Sequence, residues 1–174
     1  MLVYHKEKGR MGNEKNMITS SNEFPFEYSF ITENILLGTN ACCVLHSEED
    51  LIQKGVTADI CLEPEKLELP SNIEISLWLS VKNSFAPTLD QLLSAVALLT
   101  LLDKEGKKVY VHSQNGHGRA PTVVAAYFVS QGTSVNDAIA KIHEKRSSIH
   151  LTETQHNLLI SFEKKIHEKN TKTS

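Results

Sequence analysis

The side chains of this chain that could do chemistry gather in the run HSQNGHGR, His112 to Arg119. It holds a hydroxyl at Ser113 with imidazoles at His112 and His117. It also holds carboxamides at Gln114 and Asn115, two glycines at Gly116 and Gly118, and a guanidinium at Arg119. Glycines let a backbone turn where a Cβ would clash, so successive N–H groups can face inward as an anion-binding concavity. A helix starting there adds partial positive charge at its leading end. Arg119 can grip two oxygens of one anion through its planar fork. Residues 113–119 therefore suit an oxyanion, phosphate above all.

The flanking residues supply the elements that such a loop needs. Val109, Tyr110 and Val111 are β-branched or aromatic and bounded by polar residues, the pattern of a short buried strand. Pro121 is tolerated in a first helical turn, the apolar run Val123–Val129 continues that helix, and Gly132 is placed to end it. Lys107 to Gln131 thus reads as strand, tight loop, helix.

On these residues, HSQNGHGR resembles the HCxxGxxR signature loop of the cysteine-dependent protein phosphatases, with the same five residues between Ser113 and Arg119. The Lys145-Arg146 pair and the last helix that follow are similar to the dual-specificity branch, and the resemblance covers about residues 31 to 168. It implies that Ser113 stands in the position of the nucleophilic cysteine, that His112 buttresses the loop and that Arg119 binds phosphate. A general-acid aspartate lies in the family some thirty residues before the nucleophile, and here the register LSVKNSFAPT puts Asn83 there. Ala120 follows the arginine where many relatives carry Ser or Thr. Active plant glucan phosphatases share the Gly-Arg-Ala-Pro run, so that change alone is not disabling. Lys145-Arg146 and Gln155 match the family's rim loosely and read as solvated polar groups.

The departures decide the expected activity. The electrostatics that ionise a thiol cannot make an alcohol anionic at neutral pH, so Ser113 would need an adjacent general base. A carboxamide at Asn83 cannot donate a proton as a carboxylic acid does. Asp90 reads as a first-turn acid that stabilises a helix dipole. The expectation is a phosphatase-type domain that holds phosphate monoesters but is catalytically dead or substrate-trapping. It is either a natural pseudophosphatase that acts as a phospho-ligand binding module or a trapped form of an active enzyme. Because Gln114, Asn115 and His117 include no lysine, a phosphorylated protein or peptide is the first expected partner; a glycan or lipid phosphatase relative is the alternative. Nucleotide and hydrolase rivals lack their patterns: there is no GxxxxGK[ST], no GxGxxG opening a helix early in the chain, and no GxSxG.

Composition narrows the remaining classes. A length of 174 residues fits one domain with a full core, and a net charge of -3 argues against a general nucleic-acid binder. No apolar run approaches the ~20 residues of a membrane span, and the amino terminus lacks a secretory h-region. The odd cysteine count (Cys42, Cys43, Cys61) without CxxC suggests a reducing, cytoplasmic setting. The eight histidines show no paired metal-ligand spacing, so no metal and no cofactor is expected. Oligomeric state is not readable.

Along the chain, residues 1–22 read as a mobile polar tail, 23–168 as the domain and 169–174 as a frayed end. Phe24, Phe26, Tyr28 and Phe30 alternate along an extended segment, with a partner-docking motif as the functional alternative. ITENILLG (Ile31 to Gly38) resembles the family's opening strand. Ser47–Gln53 has a capping-box pattern closed by Gly55, Val56–Leu62 a buried strand, and Ile73–Leu79 an alternating strand. Thr88 and Gln91 cap a helix whose faces are both apolar, which predicts deep burial; Ser134 with Asp137, and Thr152 with Gln155, cap two more. Strands alternate with helices, so an α/β three-layer domain follows, with a central, mostly parallel sheet flanked by helices.

Overall fold

The computed structural model describes residues 26–40, 47–64 and 73–172. The expectations for residues 1–22, Phe24, Cys42, Cys43, the loop 65–71 and the cap at Ser47 lie outside the described residues or side chains.

Five strands form the sheet: β1 Tyr28–Phe30, β2 Ile35–Gly38, β3 Val56–Cys61, β4 Ile75–Trp78 and β5 Lys108–His112, in the order β1-β2-β5-β3-β4. All pairings are parallel except β1 on β2, which is antiparallel. β5 takes the middle because Val109, Tyr110 and Val111 are apolar on both faces, as a strand buried on both sides must be. Its registers place His112 beside Gly38 on one side and Cys61 on the other. The carboxyl ends of β2, β3 and β5 therefore open onto one edge of the sheet, where ligands bind in open α/β sheets.

Five helices cover the sheet: α1 Ser47–Gln53, α2 Leu89–Lys104, α3 Arg119–Ser130, α4 Val135–Lys145 and α5 Glu153–Lys172. Side-chain alternation along the strands splits the core in two. Ile35, Leu37, Ala58, Ile60, Val109 and Val111 pack with α2–α5. Leu36, Leu51, Val56 and Tyr110 pack on the opposite face with Phe26 and Tyr28. The expected three layers are present; of the alternating aromatics Phe26 and Tyr28 lie against the domain, while Phe30 is exposed.

α3 is buried along almost its whole length, from Arg119 to Val129. Its sequence accounts for this: it is apolar all round, and Ala120, Ala125 and Ala126 let neighbouring helices approach closely. The capping box of α2 is formed, with Thr88 Oγ1 accepting from the Gln91 N–H at 3.2 Å and Gln91 Oε1 accepting from the Thr88 N–H at 2.9 Å. Deep burial of α2 is corrected, however. Leu92, Leu99 and Leu102 are buried, but Ala97 is exposed and Leu101 is 53% exposed. An apolar outer face is common on protein surfaces, so periodicity alone overstated the burial. The helical backbone of α5 runs through Lys172, past the point where fraying was expected. No helix among the described residues is long and apolar enough to cross a membrane.

Candidate phosphate-binding site

The loop between β5 and α3 is folded by two close backbone approaches that only glycine permits. Gly116 has φ +62, and a Cβ there would lie 2.5 Å from the carbonyl oxygen of Gly38. A Cβ on Gly38 would in turn collide with the Tyr110 hydroxyl. The end of β2 and the loop 113–118 therefore press backbone to backbone, with the Asn40 N–H donating to the Gln114 carbonyl at 3.4 Å. Gly118 leads directly into α3, where a Cβ would meet Gln155 Oε1 at 2.9 Å.

One expected donor is lost. The Gly116 N–H donates to the Ser113 carbonyl at 3.0 Å, closing a turn within the loop. The N–H groups of Gln114, Asn115, His117 and Gly118 meet no acceptor among the described residues and are left for a ligand.

Arg119 is 3% exposed, and its Nη1 donates to the carbonyls of Val81 at 2.9 Å and Leu62 at 3.4 Å. Those carbonyls belong to the segments that follow β4 and β3. The guanidinium is thus held at the sheet edge and lines a pocket of about 150 Å³ together with Ser113, Asn115, His117 and Gly118. Asn83, Ser84, His150, Thr152 and Gln155 complete the lining. The structure so brings together Asn83, Ser113, Asn115, His117, Gly118 and Arg119, and leaves His112, Gln114 and Gly116 out of the wall.

His112 lies behind the loop. Its Nε2 is 3.0 Å from Asp59 Oδ1, both side chains are buried, and its ring stacks on Tyr110 at 5.2 Å. Burial alone would lower its pKa, but the Asp59 carboxylate outweighs burial and pushes it up to about 10. A group raised in the folded state stabilises fully below its unfolded value near 6.5, and that contribution drains away as pH rises, ending near 10. The melting temperature should therefore fall more steeply from pH 7 to pH 10 in the wild type than in Asp59→Asn. Parallel melting curves for the two proteins would remove the ion pair from the account.

The segment carrying Asn83 is tied to the start of α5. Ser84 has φ 66, unusual for a residue with a Cβ. Its carbonyl accepts from Thr152 Oγ1 at 3.3 Å, and the Phe85 carbonyl accepts from Gln155 Nε2 at 3.0 Å. The Asn83 carboxamide oxygen accepts from the Ser84 N–H at 3.0 Å. Asp90 is exposed in the first turn of α2, outside the pocket.

Two readings of the rim are overturned. Arg146 is not solvated: it is 6% exposed and ties down the loop, with Nε on the Gly116 carbonyl at 3.4 Å and Nη2 on the Asn115 carbonyl at 3.3 Å. Glu27 Oε2 lies 3.9 Å from the same Nη2. Gln155 is 1% exposed, because the missing Cβ at Gly118 gives it a berth. Lys145 is exposed as expected, 3.1 Å from Glu144. The capping pair Thr152 and Gln155 was the one sequence signal at this end of the site. His150 gave none.

The pocket lining thus combines loop residues with uncommitted amides, an anchored guanidinium, the start of α3 and the buried Ser113. Among the described residues no carboxylate lines the pocket; its titratable side chains besides Arg119 are the imidazoles of His117 and His150. Among the described residues no group of three or more His, Cys, Asp or Glu side chains could hold a metal ion.

Comparison with known proteins accords with this geometry. Residues 43–165 match the family model "Dual specificity phosphatase, catalytic domain". A human relative, "Phosphatidylglycerophosphatase and protein-tyrosine phosphatase 1", is 37% identical over 87 residues, a match spanning 49% of this chain and 43% of the relative. The crystal structure of PTPMT1 in complex with PI(5)P superposes with a TM-score of 0.75 at 28% identity, covering 82% of this chain and 98% of that one. Human DUSP28 shares the fold, with a TM-score of 0.73 at 20% identity over 81% of this chain and 99% of that one. The chain belongs to the dual-specificity phosphatase catalytic-domain family.

Proposed function

We propose that this domain captures phosphate monoesters in the loop Ser113–Arg119 without hydrolysing them. The observation that supports this most is the combination at one pocket of a buried, anchored Arg119 with a hydroxyl at the nucleophile position. The cradle is retained, and the group that would ionise is absent. A neutral hydroxyl also places no anion against the incoming dianion, which favours retention of the ligand.

A phosphorylated protein or peptide is the first ligand class, since Gln114, Asn115 and His117 include no lysine for a polyphosphorylated headgroup. A phospholipid headgroup is the second reading, favoured by the similarity to PTPMT1 in complex with PI(5)P. Calorimetry with a phosphotyrosyl peptide and with vesicles containing a phosphoinositide separates the two. The peptide is expected to bind and the vesicles to bind more weakly. Binding to vesicles alone would move the assignment to lipid, and binding to neither would end the phosphate-cradle reading.

A further inference from the structure

Two imidazoles stand at the pocket that the family resemblance does not account for. His117 comes from the phosphate loop and His150 from the segment between α4 and α5. Their ring centroids are 5.1 Å apart at 54°. The pair is fixed by backbone, since the His150 N–H donates to the His117 carbonyl at 2.8 Å. His150 Nδ1 lies 3.2 Å from the Ser148 carbonyl, which can only accept, so this nitrogen carries the proton and Nε2 is the other functional atom.

Resting on the phosphate-cradle reading, we infer that the His117–His150 pair makes anion capture proton-coupled, selecting dianionic monoesters and holding them more tightly as pH falls. The charge balance of the pocket residues leads to this. Burial, the neighbouring His150 ring and Arg146 at the end of α4 lower the pKa of His117, opposed only weakly by Glu27 from the segment before β1. Arg119 adds a cation in the same pocket. His117, with a second imidazole and guanidiniums nearby, therefore resists taking a proton. A dianion in the cradle reverses that balance, so binding draws in a proton and creates an imidazolium donor for a phosphate oxygen. A monoanionic diester gives a weaker reversal, which is how the pair discriminates.

Tungstate, which remains a dianion from pH 6 to pH 8, is the direct probe. Calorimetry of the full chain in buffers of different ionisation enthalpy should show uptake of roughly half a proton averaged over this range, and affinity correspondingly about tenfold higher at pH 6 than at pH 8. His150→Gln and His117→Gln, with melting temperatures confirming that each is folded, should each lose most of that gain. A pH-independent affinity in the wild type would overturn the inference and leave the cradle in place. A gain preserved in both variants would overturn it as well, by assigning the proton to another group. No tungstate binding by the wild type at any pH would overturn the cradle itself, and the inference with it.

Discussion

Replacing Ser113 with cysteine is expected to turn a silent chain into a slow phosphatase. A free thiol titrates near 8.5, and electropositive loops at helix starts bring it well below neutrality. Here the pocket offers four uncommitted amides, the leading end of α3 and the buried Arg119. None of these can ionise an alcohol, so the proposed reading expects the same cradle to be inert around Ser113. Adding Asn83→Asp should raise the rate further by roughly 10²–10⁴-fold, the typical contribution of a positioned general acid. Asn83 already lines the pocket, and its loop is pinned by Thr152 and Gln155. An aryl phosphate assay reads both steps. A folded but silent double variant would mean that the site has diverged elsewhere, with Ala120 the first position to examine.

Arg119→Ala should weaken tungstate binding by about 10²–10⁴-fold, equivalent to losing two charge-assisted hydrogen bonds at roughly 1.5–3 kcal/mol each. The substitution also strands the Val81 carbonyl, so the variant must be shown to melt cooperatively before its affinity is interpreted. Arg119→Lys supplies the second arm: it keeps the charge and loses the planar fork, and should bind between the other two. Unchanged affinity in a folded Arg119→Ala protein would place the ligand elsewhere.

The parts of the fold that the sequence revealed are those whose signals are local. β5, its loop and α3 are contiguous, and each carries its own pattern: a strand bounded by polar residues, closely spaced glycines, and an apolar helix with Pro121 in its first turn. The capping boxes at Thr88 and Thr152 were legible for the same reason, since both partners lie three residues apart. The parts that stayed hidden depend on long-range contacts. Arg146 reaches back thirty residues to Gly116, and a charged pair read beside a helix end looks like solvated surface. Asp59 is a lone carboxylate in a strand, and only the register of β3 beside β5 discloses its partner, His112. The burial expected for α2 erred in the other direction, as the exposed Ala97 shows: helical period identifies apolar positions but not which side of a helix another element covers.

The central claim, capture without turnover, is tested most directly in a single vessel. A phosphotyrosyl peptide is titrated into the wild-type chain while free phosphate is assayed in the same solution. Saturable one-to-one binding with the peptide recovered intact and no phosphate above the buffer control is the predicted result. Phosphate released in step with bound peptide would contradict it, because Ser113 would then be a working nucleophile.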